Sequence, residues 1–155
     1  MQQQDVIQKF QEFVATEGET LGRLLVWAEQ RVMQKILQRL HELGYADTSL
    51  SELGLMQQIC LVGMRQNDLA HQMKMSKQAV GQLLDSLERK QLVTRSPDPN
   101  DRRAKVIAYT PTGYQFIADT IDATLAVEQE IAELLGKEAY MGLKNSLLLL
   151  NEELD

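Results

Sequence analysis

The stretch Asp68-Leu69-Ala70-His71-Gln72-Met73-Lys74-Met75-Ser76-Lys77-Gln78-Ala79-Val80-Gly81-Gln82-Leu83-Leu84 decides how this chain is read. Leu69 and Ala70 give a first short helix, over about 67–73, an inner face small enough to sit close against a second. Lys74 and Met75 form the turn. Ser76 has the short side-chain oxygen that caps a helix by accepting from a free backbone N–H of its first turn. In the helix that follows, over about 77–90, Ala79, Val80, Leu83, Leu84 and Leu87 share one face at helical spacing. Lys77, Gln78, Gly81, Gln82 and Asp85 gather on the other. A helix that enters a DNA major groove needs such an apolar side for docking and a polar side turned outward. Gln78 and Gln82 lie one turn apart, and a glutamine amide can pair with adenine through two bonds, while Lys77 suits guanine or a phosphate. Gly81 is expected to let the backbone approach the duplex. The same pattern also describes a solvated surface helix, since polar faces commonly serve solubility alone. By itself the helix does not choose between the two.

The residues that follow break the tie. After Lys90 the period changes from helical to extended. Leu92 to Arg95 and Lys105 to Tyr109 read as strands, the second rich in β-branched and aromatic residues. Between them, Ser96-Pro97-Asp98-Pro99-Asn100-Asp101 has turn chemistry throughout and is expected to continue neither strand. The result is a hairpin that Arg95 enters and that carries Arg102, Arg103 and Lys105 at or beside its tip. A constrained loop of this kind can place a guanidinium in the minor groove, where narrow A·T-rich tracts concentrate negative potential. Asp101 would oppose a phosphate unless neutralised. Its expected role is to organise the tip by bonding neighbouring N–H groups or pairing with an arginine.

Long helical patterns flank this segment. Val6, Phe10 and Phe13 or Val14 space a short amphipathic stretch over 5–14. Thr16 with Glu19 has the form of a capping box, ahead of a helix carrying Leu21, Leu24, Ala28, Val32, Ile36, Leu40 and Leu43 that Gly44 can end. Ser49 with Glu52 repeats the box, and the next helix is expected to run through Leu53, Met56, Ile59 and Cys60 to Gly63. Thr110-Pro111 restarts a helix with a capping hydroxyl and a proline at its first position, continuing to Gly136. The last helix, over about 137–152, carries Leu143, Leu147, Leu150 and Leu154, widened by Leu148 and Leu149. So broad an apolar face needs cover on several sides, and a partner subunit is the expected source.

Composition bounds the remainder. A chain of 155 residues with 44% hydrophobic content fits one compact domain, or one domain with helical extensions. With no run of about 18 apolar residues and no basic-then-apolar N-terminus, neither a membrane span nor a secretory signal is expected, and a cytoplasmic location is the default. Cys60 is the single cysteine, which excludes an internal disulfide and a cysteine-cluster metal site. Set in Ile59-Cys60-Leu61-Val62, it is expected to be buried and inert, ahead of a redox-sensing role. His41 and His71 are too far apart to pair as ligands, so no metal and no cofactor are expected. Trp27, Met33 and Met56 suit core packing and are also the candidates to line a small-ligand pocket. A glycine-rich phosphate loop, a nucleophile elbow and a histidine beside a serine or cysteine motif are all missing, which speaks against an enzyme. The net charge of −6 is unevenly spread: residues 65–105 hold nine basic against five acidic residues, and the acidic excess lies elsewhere. A local positive field in an acidic chain can orient the basic face toward DNA.

The run from Ser76 to Glu88, Leu92 to Arg95, Asp-Pro-x-Asp-x-Arg at 98–103 and Thr-x-x-Gly at 110–113 resembles the MarR family of bacterial transcriptional regulators. The resemblance implies a mainly α fold with a small β-hairpin wing. In it, a winged helix-turn-helix over 49–110 is flanked by dimerisation helices over 1–48 and 111–155. It implies a homodimer that reads a pseudo-palindromic operator in double-stranded DNA, usually as a repressor that a small-molecule effector releases. By position, Arg103 is the arginine expected at the minor groove, with Arg102 its neighbour and Asp101 its organiser. Lys77, Gln78 and Gln82 fall at recognition-helix positions. The competing readings are a winged-helix protein–protein interaction module and a redox sensor acting through Cys60.

Overall fold

The computed structural model describes residues 3–17, 19–101 and 104–153, with the backbone alone for Thr16 and Glu17. Its elements run in the order α1 (Gln3–Glu17), α2 (Leu21–Glu42), α3 (Leu50–Met56), β1 (Met64–Arg65), α4 (Gln66–Gln72), α5 (Lys77–Arg89), β2 (Val93–Pro97), β3 (Lys105–Tyr109), α6 (Pro111–Leu135) and α7 (Lys137–Glu153). The fold is thus mostly helical with one small sheet, as expected. Two compact units divide the chain, residues 1–35 and 36–155.

The first unit holds α1 and most of α2. Val6, Ile7, Phe10, Phe13 and Val14 space an apolar stripe along α1, and every one of them is at least 46% exposed. Nothing in the sequence stops α1 before Gly18, so Thr16 lies in its last turn instead of capping α2 as expected. The cap position of α2 falls to Thr20, whose carbonyl accepts from Leu24 N–H at 3.0 Å.

The second unit begins with the buried Ile36 and Leu40 at the end of α2. There the helix closes in a Schellman turn, with Tyr45 N–H donating to Leu40 O at 3.0 Å and Gly44 N–H to His41 O at 3.1 Å. Gly44 sits at φ +104°, a conformation that suits glycine because it has no Cβ. The Ser49–Glu52 capping box forms as the sequence predicts. Its helix is shorter than expected: α3 stops at Met56, and the chain turns away through Ile59 to Gly63 at φ +85°. The Tyr109 hydroxyl holds this departure, donating to the Met56 and Ile59 carbonyls. Cys60 therefore stands in an exposed loop with Leu61 and Val62, contrary to the buried site expected from its apolar neighbours.

The sheet is antiparallel in the order β1-β3-β2. β1 has only two residues, too few to show a period, and escapes sequence reading. β2 extends through Ser96 to Pro97, opposite Lys105, further than the turn residues suggested. It is an edge strand, where a proline costs no ladder bond. Beneath the sheet, Leu53, Leu55, Met56, Leu69, Val80, Leu84, Leu87, Ile107 and Phe116 are fully buried and form the core. Phe116 meets the Tyr45 ring edge-on at 4.8 Å, and the Tyr45 hydroxyl donates to Asp119 at 2.5 Å. Burial, and then the Asp119 carboxylate, push that hydroxyl up to about 12.

Two long helices complete the unit. Thr110 caps α6 by accepting from Gly113 N–H at 3.0 Å, with Pro111 at the helix start. Gly113 passes so close to β2 that an added Cβ would lie 1.9 Å from Leu92 O. In α7 none of the described residues is buried, and Leu143, Leu148 and Leu149 are 46–59% exposed. Leu154, the last of the predicted stripe, lies outside the described residues.

Candidate nucleic-acid interface

The helix pair α4–α5 is built by local chemistry. At the end of α4, Met75 N–H donates to Ala70 O at 3.1 Å and Lys74 N–H to His71 O at 3.0 Å, a second Schellman turn. Here the left-handed residue is Lys74, at φ +51°, where glycine is usual. Ser76 caps α5 by accepting from Ala79 N–H at 3.1 Å. Val80, Leu84 and Leu87 then face the core, which leaves Lys77, Gln78 and Gln82 exposed along the other side. Gly81 is half-buried, and a Cβ there would meet the Gln66 amide at 3.7 Å. The first residue of α4 is thus its neighbour, at ordinary contact distance.

Ion pairs through Lys90 and Arg95 anchor the C-terminal half of α5. Glu52, 4% exposed, accepts from Lys90 Nζ at 2.8 Å, from Ser49 N–H at 2.8 Å and from the Ser49 hydroxyl at 2.9 Å. Burial alone would raise its pKa, but these bonds and one from Ser86 outweigh it and hold the carboxyl at about 2. Arg95, expected among the DNA contacts, turns back instead. Its Nε donates to Glu88 at 2.8 Å, its Nη2 reaches both Glu88 and Asp85, and its side chain is 15% exposed. The Glu88 carboxyl is held below its ordinary value, mainly by the Arg95 bond. Arg95 is therefore a strut between the sheet and α5, because two carboxylates one turn apart outcompete solvent for its guanidinium.

The root of the wing is organised by Asp98, a residue the sequence reading passed over in favour of Asp101. Asp98 is 5% exposed. It accepts from Asn100 N–H at 2.7 Å, from Asp101 N–H at 3.2 Å and from Arg65 Nε at 2.6 Å. The backbone N–H of Asn100 first, then Arg65, lower its pKa. Asp101 itself joins the turn through its backbone, its carbonyl accepting from Ala104 N–H at 2.8 Å. Lys105 is exposed just beyond. Arg102 and Arg103, the expected tip arginines, lie outside the described residues. Arg65, Gln66, Asn67, Lys77, Arg95, Ala104 and Lys105 line a cleft of about 290 Å³ between the wing root and the two short helices. A pair such as Asp98 with Arg65, 33 residues apart, leaves no local trace in the sequence.

The expected ligand residues are divided between the two units. Met56 is fully buried in the core at the inner face of α3. Trp27 lies in the first unit beneath the Arg23 guanidinium, 4.5 Å from its ring centroid, and Met33 is in the same unit. An apolar cavity of about 390 Å³ occurs elsewhere, walled mainly by Ile59, Leu61, Tyr109, Ile117, Ile121 and Leu125, with Gln57, Thr120 and Thr124 as its polar groups. None of the three lines it.

Comparison with known proteins places this geometry. The family model described as "MarR family" matches residues 60–105. No curated protein matches the chain. Among solved structures, wild-type MarR from E. coli in its apo form is 23% identical, with 84% of this chain and 95% of that chain covered at a TM-score of 0.73. The transcriptional repressor CouR, bound to a 23-mer DNA duplex, is 24% identical over 89% of this chain and 96% of that one, with a TM-score of 0.69. A MepR variant from S. aureus, bound to an oligodeoxyribonucleotide, is 26% identical over 88% and 99%, with a TM-score of 0.58. With the family model on the helix-turn-helix and wing and the fold shared over most of each chain, this protein carries a MarR-family winged helix-turn-helix on the fold of the MarR-family transcriptional regulators.

Proposed function

We propose that the chain is a sequence-specific double-stranded DNA-binding regulator that acts as a homodimer on a pseudo-palindromic operator. It represses transcription until a small-molecule effector releases it, and it works in the cytoplasm without enzymatic activity. The observation that carries this reading is the exposed row of Lys77, Gln78 and Gln82 on a capped helix anchored at its far end, beside a basic wing. Gln78 and Gln82 read bases, Lys77 and Lys105 hold phosphates, and Arg103 with Arg102 enters the minor groove under the control of Asp101.

Residues 49–110 form the reading domain, and the helices over 1–48 and 111–155 the dimer scaffold. Support for the scaffold comes from the stripe on α1 and from α7, whose leucines one chain leaves uncovered. The apolar cavity beside Tyr109 has the size and lining of a small-ligand site, and it replaces Trp27, Met33 and Met56 as the place to look for an effector. Both CouR and the MepR variant were solved on DNA, which supports the nucleic-acid reading over a protein-interaction module.

Selection of bound sequences from random duplex DNA, repeated over a salt series, tests the reading. An inverted repeat with half-sites about one helical turn apart and a steep loss of affinity with salt are expected. Gln82→Ala should relax preference at one base position, and Arg103→Ala should flatten the salt dependence. No enriched sequence together with a flat salt response would refute the proposal.

A further inference from the structure

The cleft between α4, the start of α5 and the wing root is lined by four cations and no carboxylate. One of those cations, Arg95, is spent internally on Glu88 and Asp85. Lys77 and Lys105 are exposed and keep their charge for the cleft. Arg65 is only partly spent, because Asp98 takes its Nε at 2.6 Å, the two terminal nitrogens are not used in that bond, and the side chain is 45% exposed. Asp98 is fixed in turn by two backbone N–H groups of the wing turn, so the guanidinium is held at one angle to the wing. Asp68 and Asp101 also act on Arg65 through space, but neither lines the cleft, whose charged lining groups are all cations. The remaining lining groups include Gln66 and Asn67, whose side-chain amides donate hydrogen bonds.

We propose that this cleft seats one backbone phosphodiester of the bound duplex, gripped by Arg65, Lys77 and Lys105, with Asp98 holding Arg65 in position. The proposal rests on the DNA-binding reading and adds to it a sequence-independent anchor that sets the wing against the recognition helix. A phosphate contact of this kind fixes register without reading bases.

Affinity for a random-sequence duplex, measured by fluorescence anisotropy over a salt series, tests it. Arg65→Gln should weaken binding equally for all sequences, with a fall of at most about 1 per bound protomer in the slope of log K against log salt. Because Arg65 and Lys105 share one phosphate, Arg65→Gln combined with Lys105→Gln should cost no more slope than either change alone. Asp98→Asn should lower affinity while leaving the slope as it is, since the cation remains but loses its support. Should Arg65→Gln fail to fold, Arg65→Lys serves instead: it keeps the charge, so the slope stays and affinity falls. Unchanged affinity in a folded Arg65→Gln protein overturns the proposal, and so does a slope loss of about 2 in the paired variant. Calorimetry with inorganic phosphate and no DNA covers the free anion; millimolar or tighter binding there, with DNA slopes unchanged, overturns it too. If the unaltered protein shows no salt-dependent DNA binding, the DNA reading itself has failed.

Discussion

Replacing Glu52 with glutamine tests the anchoring of α5 at its C-terminal end. Glu52 is buried, and its carboxyl is held at about 2 against an ordinary 4.5, despite a desolvation cost that works the other way. A depression of that size corresponds to roughly 3 kcal/mol of folding stability, at 1.36 kcal/mol per pKa unit. The folded-state pKa is lowered, so this stability is fully present above the unfolded value and is lost as pH falls from 4.5 toward 2. Glu52→Gln keeps an oxygen for the Ser49 N–H, since glutamine serves in a capping box as well as glutamate. It removes the charge that faces Lys90 Nζ at 2.8 Å. Urea unfolding at fixed protein concentration, followed from pH 7 to pH 3, is the assay. The variant should be less stable at pH 7 by about 3 kcal/mol, and the gap should shrink by about 2 kcal/mol at pH 3. Parallel stability curves for the two proteins would refute the reasoning, because they would mean that Glu52 has the same proton affinity folded and unfolded.

Three further outcomes follow from single positions. Gly113→Ala would place a Cβ on Leu92 O and should cost about 3 kcal/mol or more in urea unfolding; a loss under about 1 kcal/mol would mean the helix start shifts freely. Gln91 occupies the left-handed position of the Schellman turn after α5, at φ +58°, so Gln91→Gly should stabilise by roughly 1 kcal/mol; a destabilised variant would contradict this. Cys60 is exposed, and its thiol should react with a disulfide reagent in the folded protein at a rate near that of a free thiol. Protection until denaturant is added would show the loop to be covered.

How much of this could be read beforehand depends on the range of the interaction involved. Ser49 with Glu52, Ser76 and Thr110 act within three residues, and their caps form where the sequence puts them. The apolar face of α5 repeats at helical spacing, and Val80, Leu84 and Leu87 are buried as expected. The end of α3 has no local signal because it depends on a hydroxyl 53 residues away, Tyr109, which takes the Met56 carbonyl as well as that of Ile59. The exposure of Cys60 follows from the same turn. Charge alone points Arg95 outward, yet its partners Glu88 and Asp85 only become neighbours once the strand folds back over α5. Asp98 and Arg65 meet across the sheet in the same way. Local chemistry was legible, and ion pairs made by tertiary folding were not.

The junction at Leu92 has a mechanical meaning. Its N–H completes the Schellman turn of α5 by donating to Leu87 O at 3.0 Å, and its carbonyl accepts from Thr110 N–H at 3.1 Å at the start of α6. Gly113 packs against that same carbonyl. One peptide thus rivets the foot of the recognition helix to the foot of α6. α6 has 25 residues, making a rod of about 37 Å at 1.5 Å per residue. Over that length a tilt of about 5° moves the far tip by roughly 3 Å. Read in reverse, a small sideways push at the distal end becomes a rotation at the rivet, and α5 turns with it. The longest of the described helices is thus geometrically a lever on α5, the helix proposed to read DNA.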